Sequence, residues 1–89
     1  MTDRVRERWA AGEAALNAWV SLGGDGPAAA LAEAEFDAVT VDLQHGATPA
    51  EDLGRVASAI SAAGAVPFAR LRWNDPGLAM RALDQGSEG

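Results

Sequence analysis

Along the 89-residue chain, short apolar runs alternate with longer stretches in which apolar residues recur every three or four positions. The first stretch, residues 3–15 ("DRVRERWAAGEAA"), sets Val5, Trp9 and Leu16 at near-helical spacing among charges and predicts a helix, which Gly12 weakens. Residues 16–22 ("LNAWVSL") form an apolar run with Trp and Val that ends at Gly23-Gly24-Asp25-Gly26, a strand leading into a loop. Pro27 suits a first helical turn, and "AAALAEAEF" continues that helix through about Glu35. Residues 36–43 ("FDAVTVDL") are rich in β-branched side chains and nearly all apolar, as in a strand covered on both faces. Thr48-Pro49-Ala50-Glu51 reads as a helix start with a capping box, followed by an apolar stripe of Leu53, Val56, Ala57, Ile60 and Ala63 and a terminating Gly64. Residues 65–71 ("AVPFARL") give a third strand. Asn74 or Asp75 caps a last helix, with Pro76 in its first turn and Gly86 at its end.

The order is a helix followed by three strand–helix units. That rhythm predicts an α/β fold with a parallel sheet and right-handed crossovers. Three parallel strands cannot close a barrel, and a parallel sheet normally has both faces covered. Residues 1–89 therefore read as a single partial domain, the N-terminal third of something larger.

Composition narrows the class. The chain is 48% hydrophobic and 22% charged, which is globular, and its seven basic and thirteen acidic residues leave a net charge of −6. The arginines form no patch, so neither nucleic acid nor an anionic membrane is an expected partner. The chain has no cysteine, which fits a cytoplasmic location. No signal-peptide core or membrane-length apolar stretch is present. It also contains no lysine and a single histidine. A Walker loop, a Schiff-base lysine and a histidine zinc cluster are therefore absent.

In parallel α/β folds the chemistry gathers at the C-terminal ends of the strands, where helix N-termini converge. The side chains expected there are Trp19 and Ser21 after the first strand, Asp42, Gln44 and His45 after the second, and Arg70, Arg72, Trp73 and Asn74 after the third. Asp42 is close enough in sequence to orient the His45 imidazole as a general base. Arg70 could clamp a carboxylate or a developing enolate oxygen. Each residue taken singly has a plainer reading. His45 and Asp42 could be loop or capping residues, and either Arg70 or Arg72 a surface ion-pair partner. Trp73 would then be packing, and Trp9 a cover for the bottom of the fold. It is the convergence of the set on one rim that favours a site.

The segments "AWVSLG", "FDAVTVDLQHG" and "ARLRWNDP", in this order and spacing, resemble the HpcH/HpaI family of metal-dependent aldolases. The resemblance runs from about Leu16 to the last residue. It implies the N-terminal portion of a (β/α)8 TIM barrel of about 250 residues, with about three βα units after an N-terminal helix, and assembly as hexamers. It implies reversible cleavage of a hydroxy-oxo acid to pyruvate and an aldehyde. It also implies a divalent metal (Mg, Mn or Co) that chelates the oxo acid, with ligands beyond residue 89. By position His45 matches the family's catalytic base and Asp42 its partner. Arg70 matches the arginine at the keto oxygen, and Trp19 an aromatic residue lining the substrate pocket. Gln44 departs from the family's frequent glutamate at that place.

Two other functions remain open at this level. One is a structural or assembly piece completed by another polypeptide. The other is a related lyase for thioester-linked acids, against which "DLQHG" argues, because those enzymes usually carry acidic residues there.

Overall fold

The computed structural model describes residues 3–89. Its elements run α1 (Arg4–Ala10), β1 (Asn17–Val20), α2 (Asp25–Glu33), β2 (Ala38–Asp42), a 3-10 turn (Ala50–Asp52), α3 (Leu53–Ala62), β3 (Val66–Arg70) and α4 (Pro76–Asp84). The three strands form one parallel sheet in the order β1-β2-β3, so the α/β prediction and its element order hold. Gly64 and Gly86 end α3 and α4 with φ of 101° and 108°, as glycine allows at little cost. Asp75 caps α4 by accepting from the N–H of Leu78 at 3.0 Å, with Pro76 in the first turn.

Strand alternation divides the sheet into two faces. Ala18 and Val20, with Val39 and Val41, turn to the helical layer and join Ala28, Leu53, Val56 and Ile60 in the main core. Leu53, Val56 and Ile60 carry the predicted stripe of α3 and are wholly buried. On the second face a smaller cluster of Val5, Ala38 and Val66 closes the N-terminal end of the strands, with Ala15 and Phe68 against it. The main-chain N–H of Glu88 donates to Pro67 O at 2.8 Å, and that of Ala69 to Gly89 O at 3.0 Å. The last two residues thus run beside the outer edge of β3.

Three expectations need correction. The first helix stops at Ala10 instead of Ala15, because Gly12 takes φ of 74° and breaks the turn. The chain is then led into β1 by Asp37, which accepts from the N–H of Leu16 and from Arg4 and Arg8. Trp9 does not cover the bottom of the sheet: it is 62% exposed, and Val5 of the same helix does the covering. Thr48 does not cap α3. Its hydroxyl accepts from the N–H of Gly24 at 3.3 Å, tying the β2–α3 loop to the β1–α2 loop, while the 3-10 turn leads into α3.

Candidate active site at the C-terminal rim

Asp42 and Arg70 are the last residues of neighbouring strands and stand directly opposite in the register. Trp19 pairs with Thr40, two residues before Asp42, so the pleat turns all three side chains to the same face. Their contacts follow from that placement. Arg70 grips the Asp42 carboxylate with a fork, Nε donating to Oδ1 at 3.1 Å and Nη2 to Oδ2 at 2.5 Å. The indole Nε1 of Trp19 donates to Oδ2 at 3.2 Å. The Arg70 guanidinium carbon lies 5.0 Å from the centre of the Trp19 ring, within cation–π range.

Asp42 is only 2% exposed. It also accepts from the main-chain N–H groups of Gln44 and His45, both at 2.9 Å. Five donors therefore converge on two carboxylate oxygens. The Arg70 hydrogen bonds hold the Asp42 pKa well below the usual carboxylate range. Burial opposes the shift, and the N–H groups of His45, Trp19 and Gln44 add to it. Asp42 is thus a fixed anion, and Arg70, with a side chain 36% exposed, keeps its remaining N–H donors for a ligand at the rim.

His45 lies on the exposed loop after β2. Among the described residues Asp42 meets it through the backbone N–H, not through the imidazole as the sequence had implied. A carboxylate two to three residues before a main-chain N–H closes an Asx-type turn. Asp42 therefore fixes where the loop departs and leaves the ring open to solvent. Gly46 follows in a place that only glycine fits: a Cβ there would stand 2.3 Å from the carbonyl oxygen of Asp42. The loop is further tied by Ala47 N–H donating to Ser21 O at 2.9 Å and by the Gln44 side-chain amide reaching Arg72 O at 3.4 Å.

The other rim candidates divide. Ser21 contributes its carbonyl, and Arg72 and Asn74 are exposed. Trp73 is 73% exposed, where packing had been expected. Sequence reasoning missed Thr40 and Asn17, whose side chains hydrogen-bond at 2.9 Å on the same face below Trp19 and Asp42. Counting back by two from those residues would have found both.

No family model matches the chain. The hydroxypyruvate/pyruvate aldolase of Rhizorhabdus wittichii is 42% identical over 90 residues, which cover 98% of this chain and 35% of that protein. The 2-dehydro-3,6-dideoxy-6-sulfogluconate aldolase of Pseudomonas putida is 40% identical over 74 residues, 83% of this chain and 29% of its own length. Among solved structures, an HpcH/HpaI aldolase/citrate lyase family protein from Burkholderia cenocepacia superposes with a TM-score of 0.81 at 35% identity, covering 97% of this chain and 35% of that one. An HpcH/HpaI aldolase from Desulfitobacterium hafniense gives 0.79 at 26% identity, over 96% and 33%.

The chain is similar to HpcH/HpaI aldolases.

It matches the N-terminal part of the family's TIM barrels and spans about a third of the length of the relatives it resembles. The parallel sheet with Trp19, Asp42 and Arg70 at its C-terminal end is thus the first portion of a barrel rim, where TIM barrels carry their sites.

Proposed function

We propose that these residues form one side of the active site of a carbon–carbon lyase that cleaves a hydroxy-oxo acid reversibly to pyruvate and an aldehyde. The observation that carries this reading is the Asp42–Arg70 fork, buttressed by Trp19 and placed at the rim of an HpcH/HpaI-type sheet. His45 is the general base and takes the proton of the substrate hydroxyl. The bond between the carbinol carbon and its neighbour then breaks. The aldehyde leaves, and the electron pair passes into the enolate of pyruvate. Arg70 stabilises the enolate oxygen through donors not engaged by Asp42. Asp42 acts at a distance from the reacting atoms: it aims Arg70 and fixes the start of the His45 loop. Trp19 walls the substrate side.

The family's divalent metal does not find a site in these residues. Both oxygens of Asp42 are occupied by N–H donors, and no three metal-ligating side chains converge among the described residues. We place the metal ligands outside residues 1–89, together with the remainder of the barrel. Assembly into a homo-oligomer, a hexamer by family resemblance, and a cytoplasmic location belong to the same reading. No described helix is long and apolar enough to cross a membrane.

The test uses the full-length protein. Arg70→Ala should abolish cleavage and His45→Ala should slow it severely, with circular dichroism verifying that each variant is folded. Near-normal turnover in both variants overturns the assignment.

A further inference from the structure

Arginine pairing in this chain is uneven. Arg4 and Arg8 meet Asp37, Arg8 also meets Glu13, and Arg6 meets Asp3. Arg55 meets Asp52, and Arg70 meets Asp42. Among the described residues only Arg72 and Arg81 have no carboxylate partner, although the chain carries thirteen acidic residues against seven arginines. Both line the same cavity, of about 390 Å³, between the start of α3 and the side of α4 that carries Leu78, Arg81 and Gln85.

That cavity adjoins the His45 loop, whose Gly46 and Ala47 line it, but it opens on the opposite face of the sheet from Trp19, Asp42 and Arg70. Leu43 and Leu71 directly follow Asp42 and Arg70, so the pleat turns them to the helical side of the sheet. They form an apolar floor with Leu78 of α4, above the fully buried Leu53 of α3. The volume falls within the range of small-molecule sites, which pair an apolar lining with a few polar groups. Glu51 also lines the cavity. Two guanidinium charges against one carboxylate leave a single net positive charge, which disfavours a cation and suits a single anionic head.

We propose that this cavity binds a small monoanionic amphiphile, a carboxylate whose head meets Arg72 and Arg81 and whose short apolar tail lies on the leucine floor. The site rests on cavity shape and charge alone and stands independently of the aldolase reading. Hexanoate, titrated into the full-length protein with methyl-labelled leucines, is the probe. Acetate supplies the head without the tail, and 1-hexanol the tail without the head.

Hexanoate should give saturable shifts at the Leu43, Leu71 and Leu78 methyls. Either half-probe should bind at least about tenfold more weakly, since both head and tail contribute. Arg81→Gln, an exposed position outside the catalytic rim, should weaken hexanoate by roughly tenfold while leaving the fold intact. Arg72→Gln should do the same. Hexanoate shifts that do not saturate, hexanol binding as tightly as hexanoate, or unchanged affinity in both variants would each overturn the proposal.

Discussion

Gly46 offers the sharpest test of how the β2–α3 loop is built. A methyl group at this position would lie 2.3 Å from the Asp42 carbonyl oxygen, 3.1 Å from its Cβ and 3.3 Å from its carbonyl carbon. Non-bonded heavy atoms are comfortable at about 3.5 Å, so the loop must move by roughly 1 Å. The obstruction is backbone at the end of β2 and cannot swing aside as a flexible side chain would. Overpacking of this kind costs about 1–3 kcal/mol. For a domain of this size each kcal/mol lowers the Tm by roughly 4–8 °C, so Gly46→Ala should melt on the order of 10 °C below the wild type.

The matched control is Gly54→Ala, in the first turn of α3. Its Cβ would meet Gln85 O at 3.6 Å and Gln85 Cβ at 3.8 Å, ordinary contact. Replacing a helical glycine there should stabilise by about 0.5–1 kcal/mol and raise the Tm by a few degrees. Thermal melts and urea titrations of the three chains by far-UV circular dichroism give the comparison. In the full-length protein Gly46→Ala should also lower turnover by up to about a hundredfold, because it displaces His45 relative to Arg70 by the same roughly 1 Å. A Gly46→Ala chain that melts with the wild type would refute the close approach on which the loop geometry depends.

Two further outcomes follow from the Asp42 cluster. Because the folded-state pKa of Asp42 is lowered, its stabilisation is fully present above the unfolded carboxylate value of about 4 and is lost as pH falls below it. Asp37, lowered chiefly by the Leu16 N–H and then by Arg8 and Arg4 against the opposing effect of burial, contributes in the same window. Urea titrations at stepped acidic pH should show Asp42→Asn taking up about one proton fewer on unfolding than the wild type, and an unchanged pH slope would contradict the cluster. For Trp19, substitution by Phe keeps a ring beneath Arg70 and removes the indole hydrogen bond to Asp42. In full-length protein Trp19→Phe should lower kcat about fivefold, as expected for one lost hydrogen bond of roughly 1 kcal/mol. Trp19→Leu should lower it further, and equal rates in the two variants would remove the cation–π contact from the account.

Much of the architecture is determined by residues adjacent in sequence. Asp75-Pro76 starts α4 and Gly64 and Gly86 stop helices because caps and positive-φ turns use groups within a few positions of one another. The β-branched run before Asp42 specifies a covered strand for the same local reason, and strand ends in a parallel sheet must share a rim, which brought Trp19, Asp42, His45 and Arg70 to one side. What the local pattern leaves open is the choice of partner. Asp42 has an imidazole three residues away and an arginine twenty-eight residues away, and the register places the arginine opposite it. Thr48 has the start of α3 beside it and instead ties down Gly24, twenty-four residues distant. Val5 rather than Trp9 reaches the sheet, although both lie in α1 four residues apart. In each case the side chain could satisfy either partner, and only the packing of strands and helices fixes which one lies within hydrogen-bond or contact distance. The cavity bearing Arg72 and Arg81 has the same origin: nothing in the sequence between residues 72 and 81 marks it, and it exists only where α4 lies beside α3 over the sheet.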